Sequence, residues 1–156
     1  MWRMDTTHDE NAVFALVAMI REQANDLIVT MLAERGVEDV LPAHGAVLHV
    51  LFTASPVRMS VLAERIGRRK STLTSLVTTL ESRGYCRRET DRSDSRAQLV
   101  SLTEKGERLR GAVAAVSTAL LEKAWSGIPA RDRQACMKVL TAVSRNLRQT
   151  ATAAKE

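Results

Sequence analysis

Residues 59–103 read MSVLAERIGRRKSTLTSLVTTLESRGYCRRETDRSDSRAQLVSLT, and this stretch decides the fold. A short helix is predicted over Val61–Ile66, with Ser60 as its N-cap. Gly67 begins a tight turn, and a second helix is predicted over Lys70–Arg83. Two short helices joined by a turn that contains glycine are typical of a helix-turn-helix.

The two faces of these helices differ in chemistry. The inner faces carry the apolar residues Leu62, Ile66, Leu73, Leu76, Val77 and Leu80. The outer face of the second helix carries Lys70, Ser71, Thr72, Thr74, Ser75, Thr78 and Thr79. Short hydroxyl side chains let a helix lie deep in the major groove, where they contact bases and phosphates. Arg68, Arg69 and Lys70 stand at the helix N-terminus, where free backbone N–H groups already favour a phosphate.

A charged β-hairpin is predicted directly after the second helix. Its strands are expected at Tyr85–Glu89 and Gln98–Leu102, joined by the polar segment 90–96. Arg92 and Arg96 are candidates to enter the minor groove, where the negative potential of DNA is concentrated. Asp94 is expected to hold an arginine in place through a bidentate pair, since its own charge does not favour DNA.

Long helices flank this segment on both sides. The first is predicted from Asp9 to Arg35, the next starts at Pro42, and a fifth begins after Thr103 as N-cap. Apolar residues follow the spacing 4, 3, 4 on the first, fifth and final helices, as in Val13, Val17, Ile20, Ala24; Leu109, Val113, Val116, Leu120; and Cys136, Leu140, Val143, Leu147. Such stripes fit either an intramolecular core or a dimer seam. The fold class is therefore mainly α with a small β-wing.

The charge is unevenly distributed along the chain. The net charge is +5; residues 58–103 and residues 104–156 each hold ten basic and five acidic residues, whereas residues 1–57 are net acidic. A polyanion should mainly meet the middle segment, where the positive charge coincides with the motif. Aromatic residues make up only 3%, which argues against a single-strand binder built on stacked bases.

The motif order resembles the multiple antibiotic resistance regulator (MarR) family of winged helix-turn-helix regulators. The similarity rests on LAERIG at 62–67, KSTLT at 70–74, LESRGY at 80–85, DSR at 94–96 and LTEKG at 102–106. It implies a winged helix-turn-helix domain at 41–103 and a helical dimerisation region formed by 1–40 and 104–156. It also implies a homodimer, a recognition helix over Lys70–Arg83, a minor-groove arginine at Arg96, and release of DNA by a small ligand or by cysteine oxidation.

The sequence gives little support for other kinds of functional site. Cys86 and Cys136 have neither disulfide-framework nor zinc spacing, and both are read as packing residues, although Arg87 and Arg88 could activate Cys86. His8, His44 and His49 show no metal-ligand spacing, and His44 is expected to be partly exposed. No nucleophile motif or phosphate loop indicates an enzyme, and no motif requires a cofactor. No apolar run is long enough to span a bilayer, so a cytoplasmic protein is expected.

The sequence thus predicts a sequence-specific double-stranded DNA-binding regulator. The expected form is a ligand-responsive repressor that binds a palindromic operator as a homodimer. Two alternatives stay open: a winged-helix protein-interaction module and a non-specific architectural DNA binder. The latter would bind all duplexes alike, with a steep salt dependence.

Overall fold

The computed structural model describes residues 10–153, with side chains as far as residue 148. Within α5, between Leu120 and Leu121, the chain divides into two compact units. The first unit holds the helix-turn-helix, the sheet and the helices around them. The second holds the end of α5 and the last helix.

Six α-helices account for most of the chain. After a short 3-10 helix at Glu10–Ala12, they are α1 (Val13–Ala33), α2 (Pro42–Thr53), α3 (Met59–Ile66), α4 (Lys70–Ser82), α5 (Glu104–Ala124) and α6 (Ala130–Ala153). Proline at the first position of α2 suits a helix start, because that N–H has no partner within the helix. Thr103 caps α5, since its Oγ1 accepts the Gly106 N–H at 3.1 Å.

The β-structure is a three-stranded antiparallel sheet. Its strands are β1 (Val57–Arg58), β2 (Cys86–Asp91) and β3 (Asp94–Leu102), in the order β1-β3-β2. Val100 pairs with Val57 on one side and with Arg88 on the other. β2 and β3 form the wing, which ends in a two-residue turn at 92–93.

The core lies beneath the helix-turn-helix. Leu48, Leu51, Leu62, Leu73, Val77, Leu80 and Val100 are fully buried there. Gly67 turns the chain between α3 and α4 with φ at +62°, a conformation that side chains with a Cβ rarely adopt. The sheet and both short helices therefore share one apolar centre, which holds α4 against the wing.

The predicted fold class is confirmed: a mainly helical chain carries a small β-wing. Two local predictions were wrong, and one strand was missed. Ser60 is not an N-cap, because α3 begins at Met59 with Arg58 before it. The strands are longer than predicted, and β1 was not predicted at all. The predicted start at Asp9 lies outside the described residues, as does His8. No helix among the described residues is long and apolar enough to cross a membrane.

Candidate nucleic-acid interface

The outer face of α4 is largely open. Six of the seven residues assigned to it from sequence are exposed: Lys70, Ser71, Thr72, Thr74, Ser75 and Thr78. Arg69 is the exposed N-cap residue, so a cation stands at the positive end of the helix dipole. Thr79 is half-buried, and its hydroxyl donates to the Ser75 carbonyl at 3.0 Å.

A cleft of about 610 Å³ separates α4 from the wing. Lys70 and Thr74 line its helix side, and Arg96 lines its wing side. The guanidinium of Arg96 makes no hydrogen bond or ion pair within residues 10–148, and the residue is exposed. Arg58, Thr90 and Gln98 line the same cleft and were not predicted from sequence.

The remaining predicted residues lie apart from the cleft. Arg68 lines a different pocket, together with Arg21, Glu22 and Asp26 of α1. Arg92 is exposed in the turn at the tip of the wing. The structure therefore brings together Lys70, Thr74 and Arg96, but not Arg68.

The turn end of the wing is held against β1 by an ion pair that was not predicted from the sequence. Arg58 Nε donates to Asp91 Oδ2 at 2.8 Å, and its terminal nitrogen donates to Ser93 Oγ at 3.1 Å. The Ser93 N–H and hydroxyl both donate to Asp91 Oδ1, at 2.8 and 2.7 Å. The pKa of Asp91 is lowered, chiefly by these Ser93 hydrogen bonds and also by Arg58.

The role predicted for Asp94 was therefore wrong. Its carboxylate accepts the backbone N–H of Arg96 at 3.1 Å and makes no ion pair with an arginine within residues 10–148. Asp91 holds an arginine instead, because the turn places its carboxylate against β1. Asp94 shapes the local backbone from which the Arg96 side chain leaves.

A second ion pair joins α4 to the wing. Arg88 donates from Nε to Glu81 Oε2 and from its backbone N–H to Glu81 Oε1, both at 2.8 Å. The hydrogen bonds from the Arg88 side chain are the main reason that the pKa of Glu81 is lowered. This contact ties α4 to the hairpin that carries Arg96.

The two cysteines have opposite environments. Cys86 is buried, and its thiol contacts the Val77 carbonyl at 3.7 Å. Burial raises the pKa of the Cys86 thiol to about 11, helped by Glu81 and opposed by Arg88. Arg88 is occupied by Glu81, so it does not activate the thiol. Cys136 is exposed on α6, although a packing role was predicted for it.

We expect the fold to protect the Cys86 thiol. In the native protein at neutral pH, a thiol reagent should modify Cys86 only as the chain unfolds, since its thiolate is scarce and shielded. Counting modified thiols against time in a Cys136→Ser background, where Cys86 is the one thiol of the sequence, measures this with and without guanidinium. Equal rates of modification with and without guanidinium would contradict the assignment.

His44 is buried, not partly exposed as predicted. Its Nδ1 accepts the N–H of Leu41 at 3.1 Å, which is the contact that a residue three positions into a helix makes to the start of that helix. The pKa of His44 is lowered from 6.5, first by burial and then by the nearby Arg83, while Asp39 opposes the shift. The neutral imidazole is therefore a structural acceptor.

This environment predicts a loss of stability in mild acid. The unfolded chain takes a proton on His44 near its ordinary pKa of 6.5, whereas the folded chain resists it. The unfolded state thus binds more protons, and the His44 contribution is lost as the pH falls below about 6.5. His44→Gln keeps an acceptor and cannot titrate. Denaturant unfolding at pH 7.5 and 5.5 should show a smaller drop for His44→Gln; equal drops would contradict the prediction.

The fold and this cleft define a winged helix-turn-helix protein. Residues 42–98 match the family model described as "MarR family". Among curated relatives, an uncharacterized HTH-type transcriptional regulator of Bacillus subtilis, YkoM, is 28% identical over 87 residues, which are 56% of each chain. The transcriptional regulator HosA of Escherichia coli is 26% identical over 65% of this chain and 76% of its own. The similarity to YkoM thus spans little more than half of that relative.

The fold match extends further along the chain. The PcaV transcriptional regulator of Streptomyces coelicolor, solved with its natural ligand, matches with a TM-score of 0.77 and 21% identity. The match covers 93% of this chain and 98% of that one. The similarity to the MarR family is thus carried by residues 42–98, and the solved structure extends the fold match to most of the chain.

Proposed function

We propose that this protein is a ligand-responsive transcription repressor that binds a palindromic operator as a homodimer. The observation that carries the proposal is the cleft between α4 and the wing, with Lys70 and Thr74 on one side and the unengaged Arg96 on the other. A polar helix suits the major groove, and an arginine on a narrow wing suits the adjacent minor groove.

Each proposed contact has a distinct role. The hydroxyl groups on the outer face of α4 contact base edges or phosphates. They belong to Ser71, Thr72, Thr74, Ser75 and Thr78. Arg68, Arg69 and Lys70 bind phosphates near the start of α4. Arg96 inserts into the minor groove, Arg92 contacts the backbone at the wing tip, and Asp94 orients the wing beside them.

Exposed apolar surface supports the homodimer. On α1, Phe14 and Ile20 are 60% and 55% exposed. On α6, no residue from 130 to 148 is buried, and Met137 and Val139 are 55% and 59% exposed. Long helices with uncovered apolar side chains mark an interface. We assign the dimerisation region to residues 1–40 and 104–156 and the DNA-binding domain to 41–103.

A second cavity supports the response to a ligand. It has a volume of about 190 Å³ and a largely apolar lining that includes Leu32, Val40, Val113 and Val116. His49 and Ser117 add polar groups at its wall. A small apolar compound with one polar substituent fits such a lining. PcaV, which shares the fold, binds a natural ligand.

Fluorescence anisotropy on duplexes from the gene's own upstream region tests the function. A scrambled duplex is the control, each at two salt concentrations, and light scattering on the same sample gives the mass of the complex. The proposal is supported if the protein prefers a two-fold symmetric segment at both salt concentrations and the complex contains two chains. Equal binding to all duplexes that vanishes with salt indicates an architectural protein. No binding at all indicates a protein-interaction module.

A further inference from the structure

The loop between α1 and α2 contacts two distant parts of the first unit. Val40, which is 3% exposed, and Leu41 line the apolar cavity of about 190 Å³. The preceding residue, Asp39, faces the other way. Its Oδ1 accepts the hydroxyl of Tyr85 at 2.5 Å, and its carbonyl oxygen accepts the guanidinium of Arg83. Consecutive residues of this loop therefore contact the cavity on one side and the Tyr85 and Arg83 side chains on the other.

Arg83 and Tyr85 mark the end of the recognition helix. Arg83 directly follows α4, and Tyr85 directly precedes β2 of the wing. Tyr85 is 4% exposed, so water cannot readily replace Asp39 as the acceptor of its hydroxyl. From α5, Lys105 donates to the Arg83 carbonyl at 2.7 Å and lies 4.2 Å from the centre of the Tyr85 ring. The end of α4 is thus held by two part-buried hydrogen bonds to Asp39 and by Lys105 of α5.

We propose that Asp39 couples the cavity to the recognition helix. An occupant that displaces Val40 and Leu41 draws Asp39 away from Tyr85 and Arg83, and this frees the end of α4 from the position that suits an operator. The inference rests on the proposed function and names the residue through which a ligand acts. A buried hydrogen bond that is either made or broken has two discrete arrangements, as coupling between sites requires.

Gly45 allows the cavity to be filled without an identified ligand. It lies on α2 and lines the cavity, and a Cβ built on it meets nothing within 4 Å. Gly45→Leu therefore starts a side chain in open space and stands in for an occupant. Gly45→Ala is the matched control, since it makes the same change in helix propensity without filling the cavity.

The coupling is measured with a double-mutant cycle on operator affinity. Gly45→Leu should weaken binding about tenfold in the native background, and Gly45→Ala should have little effect. In a Tyr85→Phe background, which removes only the hydroxyl, Gly45→Leu should reduce operator affinity by less than about twofold. An equal loss in both backgrounds, or no loss in either, overturns the proposal.

A measurement without DNA keeps this test separate from the proposed function. Tyr85 is the only tyrosine of the chain, so protein labelled with fluorotyrosine gives one fluorine NMR resonance. Gly45→Leu should shift that resonance toward its position in Asp39→Asn, and should not move it further when Asp39→Asn is already present. If the resonance has the same chemical shift in Gly45→Leu as in the native protein, the coupling is overturned, even if the protein binds its operator. Coupling seen here together with equal binding to all duplexes would overturn only the proposed function.

Discussion

Arg96→Ala should reduce operator affinity by roughly a hundredfold. A single arginine contact to DNA contributes about 1–3 kcal/mol, and a dimer loses two such contacts. The loss should be large because Arg96 lines the cleft opposite Lys70, and its guanidinium makes no hydrogen bond or ion pair within residues 10–148 that binding would have to break. Fluorescence anisotropy at one fixed salt concentration measures the change, since the salt sets the scale of every protein–DNA affinity.

Two controls distinguish the loss of a DNA contact from a loss of folding stability and from a loss of positive charge. Arg96→Ala should leave the free energy of unfolding unchanged, because the guanidinium makes no hydrogen bond within residues 10–148. Arg108→Ala removes the same charge from α5, where Arg108 is exposed and forms an ion pair with Glu104 of its own helix. Its effect on affinity should stay within about twofold, because exposed ion pairs contribute little. Equal losses for Arg96→Ala and Arg108→Ala would show that total charge, not the wing, drives binding.

The order of helices and wing could be predicted because it depends on local sequence patterns. Gly67 and the alternation of apolar and hydroxyl residues along α4 lie within one short stretch, and each constrains its neighbours directly. The exposed face of α4 follows from the same periodicity. All eleven proposed DNA-binding positions, on α4, before it and on the wing, are exposed.

The contacts that position the site could not be predicted, because their partners are far apart in sequence. Arg58 and Asp91 are separated by 33 positions, and β1 has only two residues, too few to show a period of two. Asp94 was chosen in place of Asp91 because only the tertiary turn shows which carboxylate faces an arginine. His44 was misjudged for a similar reason: polar composition suggested exposure, and the acceptor role toward Leu41 appears only in three dimensions.

One feature of α5 depends on the absence of a side chain. Gly106, in the first turn, lies directly against the carbonyl group of Tyr85, where an added Cβ would collide with the carbonyl oxygen. The same Cβ would approach Leu102 Cδ2 to 3.0 Å. The Thr103 N–H donates to that carbonyl oxygen at 3.1 Å, so the start of α5 is bonded in place and cannot easily move aside.

Gly106→Ala should therefore destabilise the protein by about 3 kcal/mol, at the upper end of overpacking costs, because the obstacle is backbone and not a flexible side chain. Gly111→Ala is the matched control on the same helix, where a Cβ meets nothing within 4 Å. That change should stabilise the fold by about 0.5–1 kcal/mol, since alanine is the better helix former. Denaturant unfolding of both variants should give changes of opposite sign. A neutral or stabilising Gly106→Ala would mean that α5 does not pack this closely on Tyr85. Because Tyr85 also anchors the end of α4, the destabilised variant should lose operator affinity as well, whereas Gly111→Ala should retain it.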